Sequence, residues 1–369
     1  MSMNERQRLL KLLNGETPDR VPWFGDLDYW TGAMMARGEL PVDFKQSEAQ
    51  FVFHRELRVG FYLQGYFPFH IEYDNTVKIQ SWSEGHEGGR RLRTPVGILQ
   101  ERYVHLPASY TSACCEHLVK TAADLPALRY LYEHMSFRPN YGDATRRLSQ
   151  VQDIGVVLCY TPKTPFMQLV AIDAGIEAVV GMIMDAEDEF GHTLKVMETR
   201  LDEAVAVAVA SPAECLMIPE NLSSEVVGKR FFEQYMRECQ EKWLRRIHNA
   251  GKYSFIHMDG TLAGLLREEG AVGFTVLEAL TPHPVGDLPV RQWRDIAGPK
   301  SILWGGLPGV YFTPLVSDQE FDRHAREVLE LMRREPRYVL GVGDQVPPDG
   351  LRERVGRVAA LADRYGVYS

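Results

Sequence analysis

From residue 155 to the end, the chain alternates short apolar runs with segments of helical period. This rhythm constrains the fold more than any other feature. The apolar runs fall at 155–160, 214–218, 253–257, 274–278, 301–304 and 338–342. Helical patterns lie between and after them, near 165–184, 188–209, 228–250, 261–269, 289–297, 317–334 and 350–366. Such alternation implies a parallel sheet covered by helices. A short strand at 21–24 and one from the 66–105 region bring the strand count to eight. An open doubly wound sheet would need a glycine-rich phosphate turn after its first strand, and the sequence has none. The expected fold is α/β, a (β/α)8 TIM barrel. It forms a single domain over 1–369 with an N-terminal helical extension, where leucines 9, 10, 12 and 13 precede Gly15. A small β-rich meander is inserted at about 66–105, which is aromatic and β-branched and broken by Asp74-Asn75, Gly85, Gly88-Gly89 and Gly97. Helices are expected over 51–63 and 120–134.

A barrel with insertions reaches 369 residues as one unit. The apolar share of 45% and charged share of 25% are those of a soluble globular protein. A net charge of −9 argues against nucleic acid and anionic membranes as partners and does not itself identify one; a small-molecule substrate is expected. The five cysteines are odd in number and show no Cys-x-x-Cys spacing, which suits a reducing cytoplasm. Cys159, Cys215 and Cys239 read as buried apolar positions, and Cys114-Cys115 as part of a loop. The first fifteen residues have no apolar core of a signal peptide. The inserted meander could lid a pocket or make a subunit contact, so a homo-oligomer is compatible with the sequence.

The chemistry collects where the apolar runs end. In the stretch Tyr253-Ser-Phe-Ile-His-Met-Asp-Gly, residues i and i+2 of an extended segment point the same way. His257 and Asp259 therefore aim at one point, and Gly260 breaks the strand behind them. Asp26 and Asp28 follow the first strand, Tyr160 ends the third, and Glu220 follows the fourth. Glu278 ends the sixth, with His283 just beyond, and Asp344 follows the eighth. Catalytic residues of such barrels come from the ends of several strands. His257, Asp259, Asp344 and Glu220 offer one nitrogen and three carboxylates. That set could hold Zn²⁺ or a harder divalent ion with an open position. Without metal, crowded carboxylates raise one another's pKa and serve as acid or base. Each residue also has a structural reading: Asp26, Asp28 and Asp259 as helix caps, Asp344 as a turn former, Glu220 as an ion-pair partner. Asp26, Asp28, Tyr160, Glu278 and His283 are the expected substrate contacts. Trp304, before Gly305-Gly306, reads as a rim aromatic or a pocket wall.

Several of these stretches resemble one family. The segment Glu5-Arg-Gln-Arg-Leu-Leu-Lys-Leu-Leu-Asn-Gly-Glu-Thr-Pro-Asp-Arg-Val-Pro22 looks like the entry signature of the uroporphyrinogen decarboxylase superfamily, and more closely of its corrinoid-linked methyltransferase branch. Gly251-Lys252 leading into His257-x-Asp259-Gly260 is similar to that branch's zinc motif. Trp304-Gly-Gly-Leu-Pro308 and Val342-Gly-Asp-Gln-Val-Pro-Pro348 resemble its last two strand ends.

The resemblance implies zinc bound through a His-x-Cys pair and a later cysteine, as in coenzyme M methyltransferases. Here the histidine is His257, and both cysteine positions hold aspartates, Asp259 and Asp344. The decarboxylases carry an arginine-rich segment after the first strand to grip propionates. Here it is the acidic Gly25-Asp-Leu-Asp28, which disfavours tetrapyrrole decarboxylation. The resemblance thus implies a methyltransferase. It would move a methyl group between a small donor, such as a methoxylated aromatic, and a corrinoid carried by a partner protein. His257, Asp259, Asp344 and Glu220 would hold zinc or another divalent metal, or protonate the leaving oxygen. The alternatives are a metal-free decarboxylase or other lyase on the same barrel, and a non-catalytic ligand-binding homologue.

Overall fold

The computed structural model describes residues 3–62 and 65–368. Two parallel strands come first, β1 (Trp23–Phe24) and β2 (Phe61–Tyr62). The insertion supplies β3 (Phe69–Tyr73), β4 (Lys78–Glu84), β5 (Glu87–Thr94), β6 (Gly97–Leu106), β7 (Thr111–Glu116) and β8 (Met135–Pro139). Seven more follow: β9 (Gly155–Val156), β10 (Leu158–Tyr160), β11 (Cys215–Ile218), β12 (Tyr253–His257), β13 (Val276–Leu280), β14 (Ile302–Pro308) and β15 (Tyr338–Gly343).

Strands β10 to β15 pair in parallel, each with the next, and β15 pairs with β1. A parallel bridge from Phe24 to Gly60 joins β1 to β2, and β2 pairs with β9. Val157 links β9 to β10, so the ring of eight parallel positions closes as a TIM barrel. The second position is not drawn from 66–105. It is Phe61–Tyr62, inside the stretch expected to be helical to residue 63. The helix there ends at Leu57, where Arg58 turns left-handed at φ 54°, and Leu63 lies outside the described residues. Two residues of strand carry too little pattern to outweigh the helical period before them.

Strand parity sorts the core. One residue in two along each strand faces the barrel interior. Phe24, Tyr62, Leu158, Met217, Phe255, Val276, Trp304 and Val339 form one buried cluster there, with Leu9, Leu12 and Leu13 packed at its N-terminal end. These leucines come from the helix Glu5–Leu13, which starts in a capping box between Asn4 and Gln7. The alternate residues, such as Ile218, Ile256 and Leu277, face the surrounding helices. Trp304 is therefore neither rim nor pocket wall. It is fully buried, with ring contacts to Tyr62 at 4.8 Å, Phe24 at 5.2 Å and Phe255 at 5.8 Å.

The insertion forms an antiparallel sheet β4-β5-β6-β7 and a separate ribbon of β3 with β8. It runs on to Glu116, so Cys114 and Cys115 lie on exposed strand β7 and not in a loop. The helical pattern at 165–184 is broken in two by a wide turn at Leu169–Asp173. No helix among the described residues is long and apolar enough to cross a membrane.

Candidate functional site at the barrel mouth

The inward parity of each strand continues past its C-terminal end. His257 follows Phe255 inward on β12, Glu278 follows Val276 on β13, Tyr160 follows Leu158 on β10, and Asp26 follows Phe24 after β1. Neighbouring strands hold these side chains at one level, and His257 pairs in register with Glu278. The backbone is bent where the side chains are aimed. β13 is irregular between Leu277 and Leu280, with Ala279 at φ 65°, and Asp344 itself sits at φ 66°. Bulges and left-handed residues of this kind re-aim side chains beside functional sites.

The Nδ1 of His257 lies 2.6 Å from Glu278 Oε2, and the Tyr62 hydroxyl donates to Glu278 Oε1 at 2.9 Å. With a carboxylate as partner, Nδ1 carries a proton. The other ring nitrogen, Nε2, faces Asp344 Oδ1 at 3.7 Å. One ligand atom each from His257, Asp259 and Asp344 lie within 4.8 Å of one another. Asp259 is not the cap of the following helix. That helix starts later, at Leu266, and the backbone N–H groups of Leu262 and Ala263 are taken by Asp287 at 2.7–3.2 Å. The Asp259 carboxylate stays with the triad.

Charge is concentrated here. Burial alone would lower the His257 pKa, but Glu278 foremost, with Asp344 and Asp259, holds it up at about 9. Burial, with Asp259 and Glu278 as like-charged neighbours, pushes Asp344 up to about 6 against the pull of His257. Asp26 is buried and held well above the usual carboxylate range, by burial first and then by Asp28, with smaller effects of Asp344 and Glu278. It accepts from the Asp28 N–H at 2.8 Å and from Gln345 Nε2 at 3.2 Å.

The remaining expected residues divide. Asp28 opens the helix Asp28–Ala36 and pairs with Lys45 at 2.7 Å. With Asp26, Tyr62 and Tyr66 it lines a polar cavity of about 270 Å³. Tyr160 meets Phe67 edge-on at 5.4 Å, and its hydroxyl pKa is raised by burial, Asp26 and Glu278.

Two residues are placed elsewhere. Glu220 shares the outward parity of Leu216 and Ile218. It is fully buried, accepts from the Thr164 N–H at 3.3 Å, and lies beside Lys163, Gln240 and Glu269. It is not among the converging ligand atoms. His283 is exposed, because the chain after β13 folds back in a turn that bridges Pro282 to Leu288. Its side chain borders a surface depression with Arg291 and His324. Tyr62 joins the site without a signal in the sequence, because its two-residue strand lies in a stretch of helical period.

A donor set of one imidazole and two carboxylates fits zinc or a harder divalent ion at His257, Asp259 and Asp344. The Glu278 contact is the support that metal-ligating histidines commonly have.

Comparison with known proteins adds the lineage. A search of curated proteins gave no match. Among solved structures, the chain is similar to a methyltransferase from Methanosarcina mazei, with a TM-score of 0.60 at 14% identity over 99% of each chain. At that identity the likeness establishes the shared fold. Residues 112–365 match the family model for uroporphyrinogen decarboxylase (URO-D). Since the matched segment is well over half of the chain and runs through β9 to β15, this protein belongs to the uroporphyrinogen decarboxylase family.

Proposed function

We propose that this protein is a methyltransferase that exchanges a methyl group between a small oxygen-bound donor and the corrinoid of a partner protein. The observation that carries the reading is the convergence of His257, Asp259 and Asp344 at the barrel mouth, where coenzyme M methyltransferases of the superfamily have histidine and two cysteines. Two hard oxygens in place of two thiolates suit polarising the oxygen of an ether donor and not activating a thiol acceptor. When bound at these residues, a divalent ion supplies Lewis-acid polarisation of the donor oxygen.

The chain's own groups do the rest. Glu278 fixes the imidazole plane and tautomer through Nδ1, and Tyr62 fixes Glu278. In the metal-free state His257 is an imidazolium near neutral pH, and its Nε2–H can hand a proton to a leaving oxygen. Burial raises the pKa of both Asp26 and Tyr160, which disfavours their charged forms. The acidic Gly25-Asp-Leu-Asp28 segment favours an ether donor over a polycarboxylate.

The test is methyl transfer from methoxylated aromatics to a Co(I) corrinoid, with metal analysis of the purified protein. Asp259→Ala is expected to lower the rate by at least ~100-fold, the loss of several kcal/mol of charge stabilisation. A fully active, metal-free Asp259→Ala protein removes the mechanism.

A second reading, metal-free decarboxylation, is favoured by one observation. His257, whose pKa is held up at about 9, can supply the proton such a reaction needs, with Asp26, whose pKa burial raises, close by. Substrate-dependent CO₂ release without any corrinoid would select it.

A further inference from the structure

The inserted sheet leaves one edge open. Strand β4, Lys78-Ile-Gln-Ser-Trp-Ser-Glu84, pairs only with β5 among the described residues, and every residue in it is exposed. Unpaired edges invite another strand, and proteins usually blunt them with proline, a bulge or a charge inside the strand. β4 has none of these. Its register with β5 is unbroken from Lys78 opposite Arg93 to Glu84 opposite Glu87, and the residues between Lys78 and Glu84 are uncharged. Two of them are large and apolar: Ile79 is 49% exposed and Trp82 37%. The opposite edge of the sheet is less regular, because the pairing of β7 with β6 shifts between Arg102 and Tyr103.

The hairpin fixes which backbone groups of β4 face outward. Gly85 and His86 form a two-residue turn, and the His86 carbonyl accepts from the His105 N–H at 2.7 Å, on the β6 side. Glu87 therefore bonds toward β4, and Glu84, Trp82, Gln80 and Lys78 take the bonds to β5. The N–H and C=O groups of Ile79, Ser81 and Ser83 point to the open side. These positions are symmetric about Ser81. A second β4, laid antiparallel about a two-fold axis at Ser81, sets Ser81 against Ser81 and Ile79 against Ser83, so the outward groups find partners. The same register sets Lys78 opposite Glu84 at both ends, as opposite-charge cross-strand pairs on one face. Sliding one strand by two residues keeps the hydrogen-bonding parity but loses both ion pairs, and in-register parallel pairing sets like charge on like. The two-fold arrangement consumes the open β4 edge of both copies, so it closes at two.

We propose that a second copy of this chain covers the β4 edge: two copies join through antiparallel β4 strands centred on Ser81, merging their four-stranded insertion sheets into one. The interface lies in the insertion and does not depend on the chemistry at the barrel mouth.

The experiment is sedimentation velocity of the full chain over a concentration series at low salt, where a monomer–dimer equilibrium is expected. Lys78→Glu and Glu84→Lys each set like charges at both ends of the joined strands, and each is expected to weaken the dimer by at least ~10-fold. The double change Lys78→Glu with Glu84→Lys restores opposite charges and is expected to return the affinity to within about threefold of the wild type. Ser81→Pro removes an N–H on the open side and spares the bonds to β5. It is expected to abolish the dimer while thermal unfolding of the monomer stays unchanged. If Ser81→Pro does not fold, the exchange of exposed charges decides. A monomer at every concentration up to about 0.5 mM, a dimer unchanged by Ser81→Pro, or a double variant no tighter than the single ones overturns the assignment.

Discussion

Replacing Glu269 by glutamine should stabilise the fold at high pH and leave it unchanged at low pH. Glu269 is fully buried behind β11, and its Oε2 has no hydrogen-bond partner among the described residues. Its Oε1 accepts from Gln240 Nε2 at 3.1 Å, and the same amide approaches Glu220, also fully buried. Two carboxyl groups thus share one amide in a dry interior. Burial foremost, with the Glu220 charge added, raises Glu269 from 4.5 to about 8. A raised carboxyl pKa means that the folded state binds the proton more tightly than the unfolded state. Stability is therefore complete below about pH 4.5, declines as pH rises toward 8, and levels off above it. At ~1.4 kcal/mol per unit, the loss across that window is on the order of 3–5 kcal/mol. Glutamine keeps the shape and the acceptor but has no proton to lose. Urea unfolding at pH 5 should give nearly equal stabilities, and at pH 8.5 the Glu269→Gln protein should be more stable by on the order of 3–5 kcal/mol. A constant difference between the two pH values, or a less stable variant at pH 8.5, would refute the reasoning.

The site and the core support three further expectations. Glu278→Gln removes the charge that supports His257 and should lower divalent-metal affinity by about 10–100-fold, measured by chelator competition; unchanged affinity would mean that the contact is only structural. The double change Asp259→Cys with Asp344→Cys should shift metal preference toward zinc over magnesium or manganese, because thiolates select softer ions; competition binding reads this directly. Trp304→Ala should cost about 3–5 kcal/mol in urea unfolding, since it empties the aromatic centre of the barrel. A loss under about 1 kcal/mol would show that the interior collapses to fill the space.

The chain's own pattern is enough to specify the barrel and half of the site. Period-two runs ending in polar residues place His257, Asp259 and Glu278 on inward positions, because side-chain direction in a strand is a local property. The same rule, applied at Glu220, points away from the mouth. Its parity with Leu216 and Ile218 is readable in the sequence, and grouping it with the triad by residue type alone ignores that parity. His283 falls outside because a turn, and not a strand, follows Leu280. Tyr62 lies hidden in a two-residue strand behind a stronger helical period.

Other features are decided only by the closed tertiary structure. That Nδ1 of His257 goes to Glu278, leaving Nε2 for Asp344, depends on register between β12 and β13 and on a left-handed residue after β15. The pKa values near 9 and 6 exist only because burial and neighbouring charge act together. Local sequence sets which way each side chain leaves its own strand; only the closed ring and its covering helices determine what it meets there.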